Sequence, residues 1–483
     1  MQQKIVFDDS SKTFREVVDV TRRLGIPYLW IDSLCILQDE DDRSDWKSEA
    51  PKMSSVYNSA TITISAASSI DTKGGLFPDE REREAKTKTT KLQCSAPSGD
   101  LEFVYVRARY KNHFSIHETV HSSCKPEEPR LRSRGWVLQE DFLSPRMLHF
   151  RKEELSWICS TYSRCECRIR PNMPISHPFR AAQGTVEKTD EYMHSLDIQW
   201  PSVVMEYSRR NLTKPSDRIA ALSGLANYME EQTTDTYICG VWYEDLMFQL
   251  LWYVDRTNLP EGIPARVPFP YAQSWSWMSI PGPISYYSRH PAGCAPSHGA
   301  MSSAGAVEAT GLKVLNISRI PLEGNFFGKL LMAHLLLFAL VLPVRFDVGT
   351  QKWEALGEHG DFDPANLRAS IDTNEDLPES NPNASYVFIL AGRWVGQGLT
   401  IKCMQGVCII ARRMTEDHEP LFAAARTFRS GYGDQAGETI QLFDEFPPQT
   451  TNSYQRIGLV RGAGSIDAWK QAKGAPPELV YLF

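Results

Sequence analysis

A glutamate at position 49 has the clearest potential for chemistry in this sequence of 483 residues. Trp46, Glu49 and Met53 recur at about one helical turn, so a helix here would place Glu49 on the same face as its core residues. A carboxylate on an apolar face is costly unless it is paired or protonated, and proteins usually keep such a group for a purpose. Glu49 is therefore a candidate catalytic residue. The alternative is an ion pair with a nearby arginine or a hydrogen bond to a loop N–H.

The segment before this helix is almost continuously apolar from Tyr28 to Ile36, which predicts a buried strand. Asp32 interrupts it, and ligands bind at the carboxyl ends of parallel strands, so Asp32 is predicted either to bind a ligand or to bind loop amides. Cys35 is predicted to be a buried small hydrophobic residue rather than a nucleophile. The next loop contains Gln38 and Asp39. Its aspartates are predicted to be solvated, because their spacing lacks the glycine and terminal glutamate of a calcium loop.

A second group of polar residues surrounds a tryptophan about ninety residues later. Arg134, Gly135, Trp136, Gln139 and Glu140 fall within a predicted short helix. Trp136 is predicted to anchor this helix in the core, while Arg134 and Glu140 form charge-assisted hydrogen bonds that fix it. The alternative for Arg134 is a role in binding a phosphate group.

Alternating elements in residues 11–77 would position the first group of residues. We predict a helix, a strand, a second helix and a second strand in this part of the chain. The second helix, over 45–58, also places Tyr57 on its core face, and Pro51 predicts a kink or a break in it. β-branched residues over 61–67 predict the second strand. This alternation predicts an α/β fold with a doubly wound parallel sheet.

The chain is too long for one ordinary core, so two or three domains are expected. We predict a first domain over residues 1–150, a connecting segment over 151–198, and a helical region over 199–268. Within the helical region, Val241–Val254 has the pattern of an amphipathic helix. Short apolar segments separated by Gly, Pro and Asn predict a β-rich region over 269–483.

Composition limits the classes of function. Apolar residues make up 42% of the chain, charged residues 23%, and the formal charge is −7 without a basic stripe, which argues against nucleic acid and anionic membrane as partners. No signal or transit peptide is evident, so a cytoplasmic location is predicted. The apolar run Leu330–Val344 is shorter than the roughly 20 residues that a bilayer requires and is predicted to lie in a core.

Cysteine spacing does not predict a metal site. Cys159, Cys165 and Cys167 lie close together, but their spacing differs from the paired knuckles of structural zinc sites, and we predict buried or incidental reduced thiols. The phosphate-binding and dinucleotide-binding glycine motifs are absent from the sequence, so no cofactor is predicted from motifs.

The same segments resemble the fungal heterokaryon incompatibility (HET) domain over roughly residues 5–150. The resemblance is carried by Tyr28–Gln38, Asp45–Ala60 and Arg134–Glu140. The second half is similar to the region that usually follows this domain. That similarity is carried by Glu206–Thr213, Asp217–Leu225, Ser274–Trp277 and Tyr454–Gly458.

The resemblance implies a filamentous-fungal protein that acts in non-self recognition and triggers programmed cell death, as a signalling module that binds protein partners or assembles with itself. It also implies a distant relationship to TIR domains, some of which cleave NAD at the nicotinamide–ribose bond. In that alternative NAD is a substrate. Glu49 would bind the ribose hydroxyl and stabilise an oxocarbenium-like transition state, and Trp46 would line the pocket.

One part of the family pattern does not occur in this sequence. HET domains usually open with a further strand about thirty residues before the first helix, and Met1 falls just before Lys4–Phe7. The sequence therefore suggests either a truncated gene model or isoform, or partial replacement of that strand by Ile5–Phe7. An inactive, truncated paralogue is the third alternative for function.

Overall fold

The chain divides into two compact units in a computed structural model. The N-terminal unit comprises Met1–Leu196 and Arg210–Gln232, and the C-terminal unit comprises Asp197–Arg209 and Thr233–Phe483. The structure describes residues 11–37, 44–77, 89–95, 101–107, 131–151, 155–166, 173–174, 200–214, 217–258, 265–267, 272–286, 288–289, 306–308, 312–321, 330–356, 367–395, 405–414, 453–465 and 478–483.

The N-terminal unit combines helices with a mixed sheet. Its helices are α1 (Lys12–Arg23), α2 (Asp32–Cys35), α3 (Ser44–Glu49), α4 (Met53–Ser59), α5 (Gly135–Leu143) and α6 (Ala220–Gln232). Its strands are β1 (Thr63–Ser65), β2 (Thr89–Ser95), β3 (Leu101–Arg107), β4 (Arg146–Phe150), β5 (Leu155–Cys159), β6 (Tyr162–Cys165) and β7 (Met173–Pro174).

A five-stranded sheet forms the centre of this unit in the order β1-β4-β5-β6-β7. β1 and β4 are parallel, and α5 lies on the long connection that a parallel pair requires. The remaining neighbours are antiparallel. Val17, Leu76 and Phe150 pack together as a core cluster. The α/β prediction is therefore confirmed at this level. Among the described strands of this sheet, however, β1–β4 is the single parallel pair, so these strands do not form a fully parallel, doubly wound sheet.

The strand predicted over 28–36 is not formed. The backbone is extended as far as Ile31, and α2 begins at Asp32, whose carboxylate accepts a hydrogen bond from the Ser33 N–H at 2.7 Å. Tyr28 is 87% exposed and Leu37 is 69% exposed. The prediction was wrong for two reasons. An apolar sequence shows that a segment could be buried, but it does not show that another element of the fold covers it. Aspartate also favours the first turn of a helix.

The second predicted helix is divided at Pro51, which confirms the expected break. α3 ends at Glu49, a 3₁₀ helix covers Ala50–Lys52, and α4 follows. A 3₁₀ helix has three residues per turn, so the helical spacing does not continue from Trp46 to Met53. Met53 is buried, but the side chain of Glu49 is 34% exposed.

Three helices of this unit meet at Gly224 on α6. A Cβ at this position would lie 2.6 Å from Gln139 Oε1 of α5 and 2.7 Å from Ser54 Cβ of α4. Gln139 is buried at this contact. A glycine is therefore required for α6 to pack this closely against the two helices that carry the predicted motif residues.

The C-terminal unit is rich in strands. Residues 200–208 are helical, α7 covers Leu246–Gln249, and 3₁₀ helices cover Arg256–Asn258, Trp277–Ser279 and Pro378–Ser380. Its strands are β8 (Tyr237–Ile238), β9 (Val241–Trp242), β10 (Trp252–Val254), β11 (Ile284–Tyr286), β12 (Ser288–Arg289), β13 (Ala306–Glu308), β14 (Leu312–Pro321), β15 (Leu330–Ala339), β16 (Val341–Asp347), β17 (Lys352–Ala355), β18 (Arg368–Ile371), β19 (Tyr386–Val395), β20 (Gln405–Arg413), β21 (Ser453–Ser465) and β22 (Glu478–Leu482).

An 11-stranded sheet dominates this unit. Its main path is β12-β13-β19-β20-β21-β22-β15-β14, with β16 beside β19, β17 beside β16, and β18 beside β21. The apolar run Leu330–Val344 lies in β15 and β16, and Trp353, Phe388 and Ile457 belong to a buried cluster. Within the described part of the chain, no helix is both long enough and apolar enough to cross a bilayer.

The helix predicted over Val241–Val254 is also not formed. This stretch contains β9, the short helix α7 and β10. Cys239 and Gly240, with φ of 45° and 93°, form the tight turn between β8 and β9. The carbonyl of Gly240 accepts hydrogen bonds from Trp200 Nε1 at 2.8 Å and Trp277 Nε1 at 2.7 Å. Long-range aromatic contacts therefore override the helical spacing of the apolar residues.

The Ser274–Trp277 segment binds several parts of the C-terminal unit together. Ser274 Oγ donates to the Phe483 carbonyl and accepts from the Arg456 N–H, while Ser276 Oγ donates to the Cys239 carbonyl at 2.5 Å. All four side chains of the segment are buried. Ser274–Trp277 therefore has a structural role in this fold.

Candidate functional site

The motif residues of the N-terminal unit converge on a hydrogen bond between two helices. Tyr57 on α4 and Glu140 on α5 are hydrogen-bonded to each other through their side chains. Asp32, at the start of α2, and Arg134, which precedes the first residue of α5, both act electrostatically on the pair. Pro51 lies within the 3₁₀ turn that precedes α4, and Gly224 allows α6 to pack closely against both α4 and α5. Side chains from three separate segments of the sequence thus meet at one place.

The Tyr57–Glu140 pair has unusual acid–base properties. Burial raises the pKa of Glu140 from 4.5 to about 7, and the charges of Asp32 and Asp141 add to this, whereas Arg134 and the hydrogen bond from Tyr57 oppose it. Burial, followed by the charge of Glu140, raises the pKa of Tyr57 well above its ordinary value. The Tyr57 hydroxyl therefore stays protonated and donates to Glu140. A carboxyl group with a pKa near 7 can gain or lose a proton at physiological pH.

Aromatic rings flank this pair. Trp30 meets Tyr57 edge to face with ring centroids 5.7 Å apart, and Trp46 meets Trp136 in the same way at 6.1 Å. Trp136 and Glu140 are four residues apart on α5, so they lie on the same side of that helix. All four rings remain partly accessible. The site therefore combines accessible aromatic surface with titratable groups and the exposed Arg134.

Glu49 lies in a different environment from the one expected for a carboxylate on the core face. Its Oε1 is 2.6 Å from Lys52 Nζ, and about two thirds of its side chain is shielded from solvent. The expected partner was an arginine, whereas the observed one is a lysine three residues along the chain. An ion pair this accessible contributes little to stability. The carboxylate of Glu49 can be reached from solvent, and its catalytic role stays a prediction.

The remaining predicted residues have various environments. Cys35 is an exposed free thiol, so the prediction that it is buried was wrong for the same reason as the strand around it. Met53 is buried as expected. The Gly135 N–H donates to the Asn211 carbonyl at 2.7 Å, which fixes the start of α5. Gln38 and Asp39 lie outside the described residues.

Two features of the site were missed from the sequence. Trp30 was not singled out, although it lies two residues before Asp32 and contacts the Tyr57 ring. Asp141 was also missed. Its Oδ2 lies 3.8 Å from Arg132 Nε and 3.6 Å from Arg210 Nη2, and all three side chains are buried. The partnership with Arg210 brings together distant parts of the sequence, so no local pattern could have predicted it.

The cysteine prediction is correct for one residue and wrong for another. Cys159 is a buried free thiol, as predicted, and hydrogen bonds from the Thr161 hydroxyl and nearby backbone lower its pKa despite the opposing effect of burial. Cys165 is disulfide-bonded, so the expectation of reduced thiols does not hold there. In the part of the chain that the structure describes, no group of three or more His, Cys, Asp or Glu side chains could hold a metal ion.

Comparison with known proteins identifies the N-terminal part of the chain. The family model of the heterokaryon incompatibility protein (HET) matches residues 1–140, a range that contains Asp32, Tyr57, Arg134 and Glu140. No curated protein and no solved structure matches the chain. The match agrees with the resemblance carried by the sequence motifs. Residues 1–140 are therefore similar to heterokaryon incompatibility (HET) proteins.

Proposed function

We propose that the chain is a cytoplasmic fungal protein of non-self recognition that signals programmed cell death, with the HET domain as the signalling module. One observation carries this proposal: the family match covers the same residues that the structure brings together around Tyr57 and Glu140. Segments far apart in the sequence thus contribute to one site. Such an arrangement supports a role beyond filling a core, because perturbed titratable groups concentrate at functional sites.

Exposed apolar side chains support contact with a protein partner or with a second copy of the chain. Tyr28, Leu34 and Leu37 are exposed in the segment next to the site. Large apolar groups at a surface are enriched where proteins bind one another. We propose that the HET domain transmits its signal through this segment.

Inducible expression in a filamentous fungus tests the proposal. The full chain is expected to reduce viability, and the double substitution Tyr28→Ser with Leu37→Ser to restore most of it. Leu356→Ser, at an exposed leucine of the C-terminal unit, is the matched control and should still kill. Viability equal to that of the empty vector at matched protein levels would reject the signalling role. Equal killing by the double variant would reject the role of the segment.

The second candidate function is hydrolysis of NAD at the nicotinamide–ribose bond by a TIR-like site. The accessible carboxylate of Glu49 supports it, because a substrate could replace Lys52 as its partner. Purified protein at high concentration is expected to release nicotinamide from NAD. Glu49→Gln should abolish release, while Glu231→Gln, at an exposed carboxylate of α6, should not.

Two outcomes would count against NAD hydrolysis by Glu49. No release by the wild-type chain would exclude NAD cleavage under these conditions, and full activity in Glu49→Gln would exclude Glu49. A chain that neither kills nor releases nicotinamide would fit the inactive paralogue.

A further inference from the structure

The segment over residues 28–37 reaches the Tyr57–Glu140 pair from the surface of the N-terminal unit. Trp30 contacts the Tyr57 ring, and Asp32 acts electrostatically on both members of the pair. Most other side chains of the segment are exposed, and its helical part is a single turn of four residues. Segments with few buried contacts open at low free-energy cost. Ile36 is buried and the Leu37 N–H donates to Asp45, so the contact with the pair matters most for residues 28–35.

The charges around Glu140 come from several elements. Asp32 on α2 and the neighbouring Asp141 disfavour a charged Glu140, and Arg134 favours it. Tyr57 on α4 supplies the hydroxyl that donates to it. Asp141 is close to Arg132 and Arg210, so its charge is partly balanced. The charge of Asp32, in contrast, is carried on the exposed turn.

The other helices of this region contribute charges elsewhere. α6 packs on Gln139 through Gly224, and its charged residues Glu230 and Glu231 lie in its last turn. On α3, Asp45 accepts a hydrogen bond from the Leu37 N–H at 2.8 Å, and Glu49 pairs with Lys52.

We propose that Glu140 is a regulatory proton-binding site that controls the docking of residues 28–35 against α4 and α5. When Glu140 is neutral, Asp32 and Trp30 stay against the pair. When it loses its proton, its negative charge adds to that of Asp32 in a partly buried site, where the repulsion between the two charges is stronger than in water. The exposed turn then moves away, since it is held less firmly than α5.

The proton leaves Glu140 for solvent and no bond other than O–H is broken. Because Glu140 titrates with a pKa of about 7, the change falls within the physiological range. Release would free Trp30 from Tyr57 and increase the exposure of the apolar segment. The inference is independent of whether the protein cleaves NAD or signals cell death.

Hydrogen exchange measured by mass spectrometry on the full chain tests the inference. Each variant is compared with wild type at the same pH, which cancels the intrinsic pH dependence of exchange. At pH 6, wild type and Glu140→Gln should protect residues 28–37 equally. At pH 8, wild type should lose protection several-fold, while Glu140→Gln keeps it. Glu231→Gln should behave like wild type.

Two further variants separate a proton switch from a merely structural role. Asp32→Asn removes the repulsion and should keep the segment protected at pH 8. Arg134→Met removes the cation that favours charged Glu140, so the midpoint of the wild-type transition should move to higher pH. Equal loss of protection in Glu140→Gln and wild type would overturn the proposal. The proposal would also be overturned if the midpoint were unchanged in Arg134→Met, or if wild type showed no pH-dependent loss of protection.

Discussion

Replacement of Arg456 by methionine is expected to destabilise the C-terminal unit by about 3–5 kcal/mol, the usual cost of breaking a buried ion pair. The guanidinium is fully buried and donates to Asp372 Oδ2 at 3.2 Å, to the Trp252 carbonyl at 2.6 Å and to the Leu250 carbonyl. It also lies over the Trp252 ring at 3.7 Å. Methionine would fill much of the volume but would leave two carbonyls and a buried carboxylate with fewer partners.

The free energy of unfolding of each variant is measured by chemical denaturation, with circular dichroism as the signal. Arg345→Met is the matched control. Arg345 is also 2.8 Å from a carboxylate, that of Glu354, but its side chain is 67% exposed. Its loss should cost about 1 kcal/mol or less. The double variant Arg456→Met with Asp372→Asn should recover part of the loss, because it removes the charge left behind. Equal losses of stability in Arg456→Met and Arg345→Met would show that the buried network of Arg456 stabilises the protein no more than an exposed ion pair does.

Replacement of Glu140 by glutamine is expected to make the N-terminal unit more stable than wild type above neutral pH, by up to about 3 kcal/mol. The limit follows from a pKa raised from 4.5 to about 7, at about 1.36 kcal/mol per pH unit. The side chain of Glu140 is partly accessible to solvent, which reduces this value. The folded state holds the proton more tightly than the unfolded state. The stability that this contributes is therefore complete below pH 4.5 and is lost as pH rises through 7.

Urea unfolding of the N-terminal unit at several pH values between 5 and 8 shows whether Glu140→Gln is more or less stable than wild type at each pH. The gap between Glu140→Gln and wild type should widen steadily with pH and level off above about 7. Glu231→Gln, at an exposed carboxylate of the same unit, should follow wild type at every pH. A gap that stays constant with pH would mean that Glu140 does not titrate as a buried acid.

The sequence predicted elements with strong local signals. β1 lies within the strand predicted over 61–67, and the short helix around Trp136 was expected. The break at Pro51 was also expected, because proline lacks an N–H and cannot continue a helix. The motif residues of the site were found in the same way, since Tyr57, Arg134 and Glu140 belong to unusual strings of residues.

Pairings across the chain were not accessible to sequence reasoning. Glu140 was expected to fix its own helix together with Arg134, whereas the structure pairs it with Tyr57 of another helix. Spacing within a helix identifies which residues share a face but not which element that face meets. The same limit explains the exposed segment around Tyr28, whose apolar residues indicated a covered strand.

The position of β22 in the large sheet has a consequence for synthesis of the protein. β22 lies between β21 and β15, although it comes last among the described strands. The ribosome makes β15 first, and that strand must wait for residues 478–482 before its second edge is paired. At roughly 5–20 residues per second this wait is on the order of ten seconds or more. During that time a strongly apolar edge is open to wrong partners, so nascent chains should depend on chaperones that bind extended apolar segments.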